Sequence, residues 1–312
     1  MITVHSNSTD PWLNLALEEF VFHSFPDEDV FLLWRSAPSV VVGSYQNICR
    51  EVHVPQLHRL GIPVLRRITG GGTVYHDLGN VNYSLITRQE GEVDYDRCLA
   101  PMLSALNAIG VPARKNRTCD IAIGDGKISG SAQRMEKGRL LHHGTLLFES
   151  DLAVLDRITT HHKNSCFQTK GTLSAICPVT NIRPHLAEDM DIAEFQRRLL
   201  EQLGCKAVEL SAEQMQEVCR LRDEKYRGWQ WTWGKTPAFS YVKDGVFDGK
   251  PFHGAYQARK GMISGAVIDC PALDGECAAA LLNGARLEPD VFFDICRTLA
   301  GERADELWAL LM

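Results

Sequence analysis

Two stretches of the chain carry residue types at spacings suited to holding an anionic, phosphorylated group. The first is Arg66-Arg67-Ile68-Thr69-Gly70-Gly71-Gly72-Thr73-Val74-Tyr75-His76-Asp77. Three consecutive glycines let the backbone approach a ligand and take φ > 0 without the roughly 1–2 kcal/mol that a Cβ costs there. Successive N–H groups in such a loop form an anion-binding concavity, and flanking arginines add charge-assisted donors. The same letters also describe a Gly-rich hairpin with surface arginines. The spacing matches neither the P-loop nor the dinucleotide fingerprint.

The second stretch is Lys127-Ile128-Ser129-Gly130-Ser131-Ala132-Gln133-Arg134. A strand lysine with small residues behind it can reach into a pocket. At about 4 Å from a phosphate or carboxylate it is worth roughly 4 kcal/mol at an effective dielectric near 20, before desolvation is subtracted. The plain alternative is an exposed strand lysine. A third stretch, Trp229-Gln230-Trp231-Thr232-Trp233-Gly234-Lys235-Thr236-Pro237-Ala238-Phe239, reads as a fixed, aromatic-rich hinge at a domain boundary, or else as a strand packing its indoles into the core. His142-His143, His161-His162 and Cys166 resemble metal ligands in a list, but their spacing fits no structural zinc pattern.

These residues need a scaffold. Asp10-Pro11 reads as an N-cap and first helical residue, with Leu13, Leu17, Phe20 and Val21 on one face. Strands are predicted at 30–34, 39–42, 64–67, 82–86 and 145–148, with a hairpin turning at Gly124-Asp125-Gly126. Helices are predicted over 95–109, 191–203 and 211–226. Asp244-Gly245, Asp248-Gly249 and Lys260-Gly261 then separate short strands into a three-stranded meander, followed by helix from about 273. The expected fold is α/β (α+β): a catalytic domain over 1–242 with a mixed, mostly antiparallel sheet flanked by helices, and a small α+β C-terminal accessory domain over 243–312.

The chain has 312 residues and a formal net charge of −6, which argues against a dedicated nucleic-acid binder. Ten cysteines without a C-x-x-C pair, and no secretory leader, imply reduced thiols in a cytoplasmic protein. No apolar run approaches a membrane span.

In this order and spacing the segments resemble the lipoate–protein ligase family. Residues 10–19 look like its N-x-A-x-E-E helix and 42–47 like its V-G-x-x-Q-N turn. Residues 66–77 are similar to its R-R-x-x-G-G-G-x-V-x-H-D loop, 127–133 to K-x-S-G-S-A-x, 143–147 to H-G-T-L-L, and 229–239 to its W-x-W-x-x-G-x-x-P-x-F segment. The resemblance covers nearly the whole chain. It implies that (R)-lipoate and ATP, with Mg²⁺, give lipoyl-AMP and pyrophosphate. The lipoyl group then passes to a lysine of an acceptor lipoyl domain, in 2-oxoacid dehydrogenase acyltransferase subunits or the glycine-cleavage H protein. A monomer is expected, with neither nucleic acid nor membrane as partner.

By the same resemblance Lys127 contacts the lipoate carbonyl and adenylate phosphate, stabilising charge where it develops. Gly71, Gly72 and Thr73 cradle the adenylate, and Arg66 lies near acyl chain and phosphate. His76, Ser129, Gly130, His143, Gly144 and Thr145 complete the substrate site. Asp77 and Asp120 are candidates for orienting nucleotide, Asp120 also for Mg²⁺. Members of the family often carry arginine where Ile176, Pro178 and Ser44 stand, which removes basic contacts there. The rivals are an ATP-independent octanoyl or lipoyl transferase working through a thioester on Cys119 or Cys166, a biotin ligase, and a lipoyl-domain binding factor that has lost adenylation.

Overall fold

The computed structural model describes residues 1–117, 119–160 and 165–312, so the His161-His162 pair lies outside the described residues. Helix Pro11–Ser24 starts where the sequence places it: Asp10 Oδ1 accepts from the N–H groups of Trp12 (2.9 Å) and Leu13 (3.2 Å). Its inward face, Leu15, Leu17, Val21 and Phe22, packs on Val30, Leu32 and Trp34 of the sheet beneath.

The main sheet has eight strands, in spatial order Lys206–Val208, Ile2–His5, Val30–Trp34, Asn80–Arg88, Arg139–Leu147, Gly126–Glu136, Asp120–Ile123 and Arg114–Asn116. The first two pairings are parallel and the remaining five antiparallel, giving the mixed, mostly antiparallel sheet the sequence predicts. One transverse row of it matters for function. Trp34 pairs with Asn82, Asn82 with Thr145, and Gly130 with Asp120, while the Gly130 N–H points at Thr145 Oγ1 at 3.4 Å. Side chains of such a row share a face, and five strands at ~4.8 Å spacing span roughly 19 Å.

A second, three-stranded sheet puts Ser39–Val42 between Val64–Arg66, parallel to it, and Val74–His76, antiparallel. The triglycine loop is the connection between the two outer strands, so it must cross the end of the central one at Gly43. The third sheet, Phe167–Thr169, Phe239–Phe247, Lys250–Arg259 and Met262–Asp269, contains the expected meander plus one strand from much earlier in the chain. Strand Phe239–Phe247 runs across the 242/243 line. Helices Gly275–Leu282, Pro289–Ala300 and Ala304–Leu311 cover this sheet, and Trp308, Phe292 and Tyr256 share one buried cluster with Val40, Val42 and Leu57.

The strand reading of the tryptophan-rich segment is corrected. Trp229–Thr232 is a short helix, reached through the π-helical turn Arg222–Tyr226 that continues helix Ala212–Leu221. Two of its indoles bond outward instead of stacking in a sheet: Trp229 Nε1 donates to Leu287 O at 3.0 Å and Trp231 Nε1 to Arg66 O at 2.7 Å.

Candidate active site

The triglycine loop is held from beneath by Arg67. Its guanidinium is buried and donates to Thr69 Oγ1, Val41 O, Gly70 O and Gly72 O at 2.6–3.1 Å. Arg66 is fully buried and donates to Thr232 O, Gly43 O, Ser44 O, Gln46 O and Thr236 Oγ1. Burial lowers both guanidinium pKa values to about 10. Neither arginine is the surface phosphate donor that the sequence suggests. Arg66 in particular lines neither of the two cavities described below and its donors are committed to protein, which corrects its expected place beside acyl chain and phosphate. Tight glycine packing completes the loop. A Cβ on Gly43 would sit 2.3 Å from Gly71 O, and Gly71 itself has φ 81°.

From above, the segment 170–178 closes on the loop through Ser174. Its Oγ accepts from the Thr73 N–H at 2.8 Å and from Gln46 Nε2 at 3.0 Å, and donates to Glu51 Oε2. Gln46 Oε1 in turn accepts from Gly43 N–H (2.8 Å) and Thr73 Oγ1 (3.0 Å). Here the turn motif at 42–47 finds its structural use.

Two cavities meet beside this loop. The first, of about 410 Å³, runs along the transverse row over Trp34, Asn82, Thr145, Gly130 and Asp120, with Leu15, Val41, His76 and His143 on its walls. The second, of about 430 Å³, is lined by Tyr75, Leu147, Leu152, Leu155, Asp156, Ile176 and Pro178 among others. Thr73, Val74, Lys127, Gly130, Thr145, Ser174 and Ala175 belong to both. The first cavity has the more buried floor, with Leu15, Trp34, Val41 and Asn82 each at most 4% exposed, whereas Ile176 at the rim of the second is 56% exposed.

Lys127 stands at the junction. Its Nζ lies 2.9 Å from Asp120 Oδ1, and a Cβ on Gly130 would come within 2.8 Å of that Nζ, so a side chain at 130 would push the lysine from this position. The structure brings Gly71, Gly72, Thr73, His76, Asp120, Gly130, His143, Gly144 and Thr145 together around one cavity with Lys127, and Ser129 lines the other. Asp77 is not among them. Its Oδ1 accepts from Gly79 N–H at 2.9 Å and its Oδ2 from Asp151 N–H at 2.7 Å, so it braces a turn instead of facing a nucleotide. Among the described residues no three His, Cys, Asp or Glu side chains gather as a metal cage. Among the described residues Asp120 is the carboxylate that pairs with Lys127.

Sequence reasoning missed the layer behind the site. His143 Nδ1 donates to Glu18 Oε1 at 2.7 Å, because a carboxylate can only accept. Its Nε2 accepts from the Thr69 hydroxyl at 2.8 Å, and Thr69 Oγ1 accepts from Arg67 Nε. Ser84 Oγ also donates to Glu18. One relay of directed bonds thus joins the buried cation Arg67 to the buried Glu18. Glu18, Gln46 and Ser174 all lie in stretches similar to the family's motifs or beside them, so their types were visible but not their roles. His76 stays neutral, its pKa pushed down to about 3 by burial and then by Arg67 and His143. Cys119 lines the first cavity, and its thiol pKa is raised by burial and by Asp120.

Residues 10–204 match the family model described as Lipoyl protein ligase A/B catalytic domain. The chain is 35% identical to lipoate–protein ligase 1 of Staphylococcus aureus over 271 residues, 85% of this chain and 82% of that protein. It is 34% identical to lipoate–protein ligase LplJ of Bacillus subtilis over 248 residues, 76% of this chain and 74% of that protein. Among solved structures, P. falciparum LipL1 in complex with lipoate superposes with a TM-score of 0.65 at 22% identity, covering 99% of this chain and 98% of that one. Lipoate–protein ligase A bound with ATP superposes at 0.60 with 25% identity, covering 74% and 97%.

Two outcomes follow from this packing. Gly43→Ala forces a methyl group against the backbone of the triglycine loop and is expected to cost about 2–3 kcal/mol of stability. An unchanged urea midpoint would contradict that. His76 and His142 are both held neutral by burial with pKa values near 3. An unfolded chain takes up those protons below about 6.5. Stability fully present above that pH should therefore fall as pH drops toward 3, by about 1.4 kcal/mol per pH unit for each group well below 6.5. Urea titrations from pH 7 to 4 should show this slope, and His142→Gln should flatten it by one group's share. A variant with the wild-type slope would contradict it.

Proposed function

Since this chain belongs to the lipoate–protein ligase family, we propose that its two cavities hold the two halves of one acyl-adenylate, joined at Lys127. The enzyme is an ATP-dependent lipoate–protein ligase. A carboxylate oxygen of lipoate attacks the α-phosphorus of ATP and pyrophosphate leaves. The ε-amine of an acceptor lysine then attacks the acyl carbon of lipoyl-AMP and AMP leaves. The adenylate is itself the activated donor, so no enzyme-bound acyl group is needed.

The deep cavity floored by Leu15, Trp34 and Val41 takes the acyl chain, where apolar burial is worth roughly 0.8 kcal/mol per CH₂. The more open cavity takes the nucleotide, with its rim free for pyrophosphate to depart. Ile176 and Pro178 line that second cavity, so its wall is apolar where relatives often place arginine. This leaves Lys127 as the cation facing both the acyl carbonyl and the α-phosphate, with Asp120 holding it in place until substrate arrives. Gly71, Gly72 and Thr73 pass close to the phosphate, and Ser174 closes over it. Mg²⁺ would come with the ATP phosphates, keeping most of its waters and taking at most Asp120 from the protein. Acceptors are lipoyl domains of 2-oxoacid dehydrogenase acyltransferase subunits and of the glycine-cleavage H protein.

Among the described residues those lining the two cavities all precede residue 180, which supports a catalytic part ahead of strand Phe239–Phe247, with the accessory domain expected over 243–312 taking in the whole of that strand. No described helix is long and apolar enough to cross a membrane, in keeping with a protein that acts in the cytoplasm.

The observation that carries this reading is the position of Lys127 at the junction of the cavities. A thioester route through Cys119 is disfavoured by its raised thiol pKa, which keeps the nucleophilic thiolate scarce. The test is lipoate-dependent pyrophosphate release with MgATP. Lys127→Ala should lose at least ~100-fold, the scale of a removed charge-stabilising donor, and Cys119→Ala should stay within about 3-fold of wild type. Activity that survives Lys127→Ala but vanishes in Cys119→Ala would turn the assignment to a cysteine transferase.

A further inference from the structure

One polar group in the acyl cavity takes no part in the networks above. Asn82 lines that cavity at 3% exposure, and among the described residues its Nδ2 has no acceptor. Its Oδ1 accepts from Asn80 Nδ2 at 3.0 Å, which leaves the N–H donors of Asn82 turned away from Asn80, whose own Oδ1 also has no partner among the described residues. A buried donor without an acceptor is costly and rare, and in a ligand cavity the missing acceptor is naturally supplied by ligand.

The sheet register gives the depth at which that acceptor must lie. Asn82 sits in the transverse row two strands from Gly130, the residue over which Lys127 passes, and two strands are roughly 10 Å. A straight acyl chain advances about 1.25 Å per carbon for bonds near 1.5 Å, so its carbons six to eight reach this depth when its carboxyl lies at Lys127. In lipoate those carbons carry the two dithiolane sulfurs. In octanoate they carry only hydrogen.

We propose that Asn82 is the specificity-determining residue for the acyl group, its Nδ2–H meeting an acceptor atom at the far end of the chain. The inference rests on the assignment of this cavity to the acyl chain. A sulfur is a weak acceptor, but an eight-carbon chain with none leaves the donor without a partner in the cavity, and a site built to hydrogen-bond rejects the analogue that cannot. Leucine at this position would fill a similar volume without a donor.

The test compares kcat/KM for pyrophosphate release with lipoate, octanoate and 6-oxooctanoate, using wild type and Asn82→Leu. Wild type should favour both lipoate and 6-oxooctanoate over octanoate by about ten-fold, the scale of one neutral donor left unpaired. Asn82→Leu should abolish the 6-oxooctanoate advantage and narrow the lipoate-to-octanoate ratio at least ~5-fold, mainly through faster use of octanoate. Unchanged ratios in the folded variant would overturn the proposal. So would equal use of 6-oxooctanoate and octanoate by wild type, a readout that stands even if the variant does not fold. Silence of wild type with all three acids is a separate result, which would remove the ligase reading and this inference with it.

Discussion

Two adjacent guanidiniums taken out of water fix the shape on which the site depends. Placing a cation in a protein interior is costly unless acceptors surround it, and removing one side of such an arrangement is commonly worth 3–5 kcal/mol. Arg66 and Arg67 meet that condition almost wholly with main-chain carbonyls and threonine hydroxyls. Those carbonyls belong to the triglycine loop, to the end of the central strand at Val41 and Gly43, to the turn at Gln46 and to the helix end at Thr232. Three separate stretches of chain, 41–46, 69–72 and 232–236, are thereby held in register by two side chains. The Arg67 charge is further tied through Thr69 and His143 to Glu18, the one buried carboxylate of this network.

With the loop fixed, the rest follows from space and charge. Glycine at 71 supplies a positive φ, glycine at 43 lets two backbones touch, and glycine at 130 clears the path of Lys127. A flat sheet row supplies the floor of one cavity, while the chain around 147–160 and 174–179 encloses the other. Lys127, at their junction, is proposed to face the atoms that bear charge in the adenylation and transfer steps, which is where an electrostatic contribution is largest.

Much of this was legible in the residues. Asp10-Pro11, Gly124-Asp125-Gly126, Asp248-Gly249 and Lys260-Gly261 act locally, through caps and φ preferences, and bound elements where expected, whereas Asp244-Gly245, read as a turn, lies inside the continuous strand Phe239–Phe247 and pairs with His253 and Phe252. Lys127 and the glycines announced themselves by type and spacing. The role of Arg66 did not, because a local pattern cannot distinguish an arginine aimed at a phosphate from one aimed at four carbonyls distant in sequence. The tryptophans at 229, 231 and 233 alternate as a strand would. Their short helix is set instead by tertiary partners, Leu287 O and Arg66 O, that no window around them contains. Strand Phe167–Thr169 joins a sheet whose other members lie some seventy residues on, and Asn82 is one of several polar letters in strand Asn80–Arg88, set apart only by the cavity it lines.

The most direct measurement is a crystal structure of the enzyme with a non-hydrolysable lipoyl-adenylate analogue. The account requires the phosphate-mimicking group within hydrogen-bond distance of Lys127 Nζ, the acyl chain over the Trp34–Asn82 end of the sheet row, and the adenine between Leu152 and Ile176. An analogue bound with adenine over Trp34, or with its phosphate mimic beyond the reach of Lys127, would contradict it.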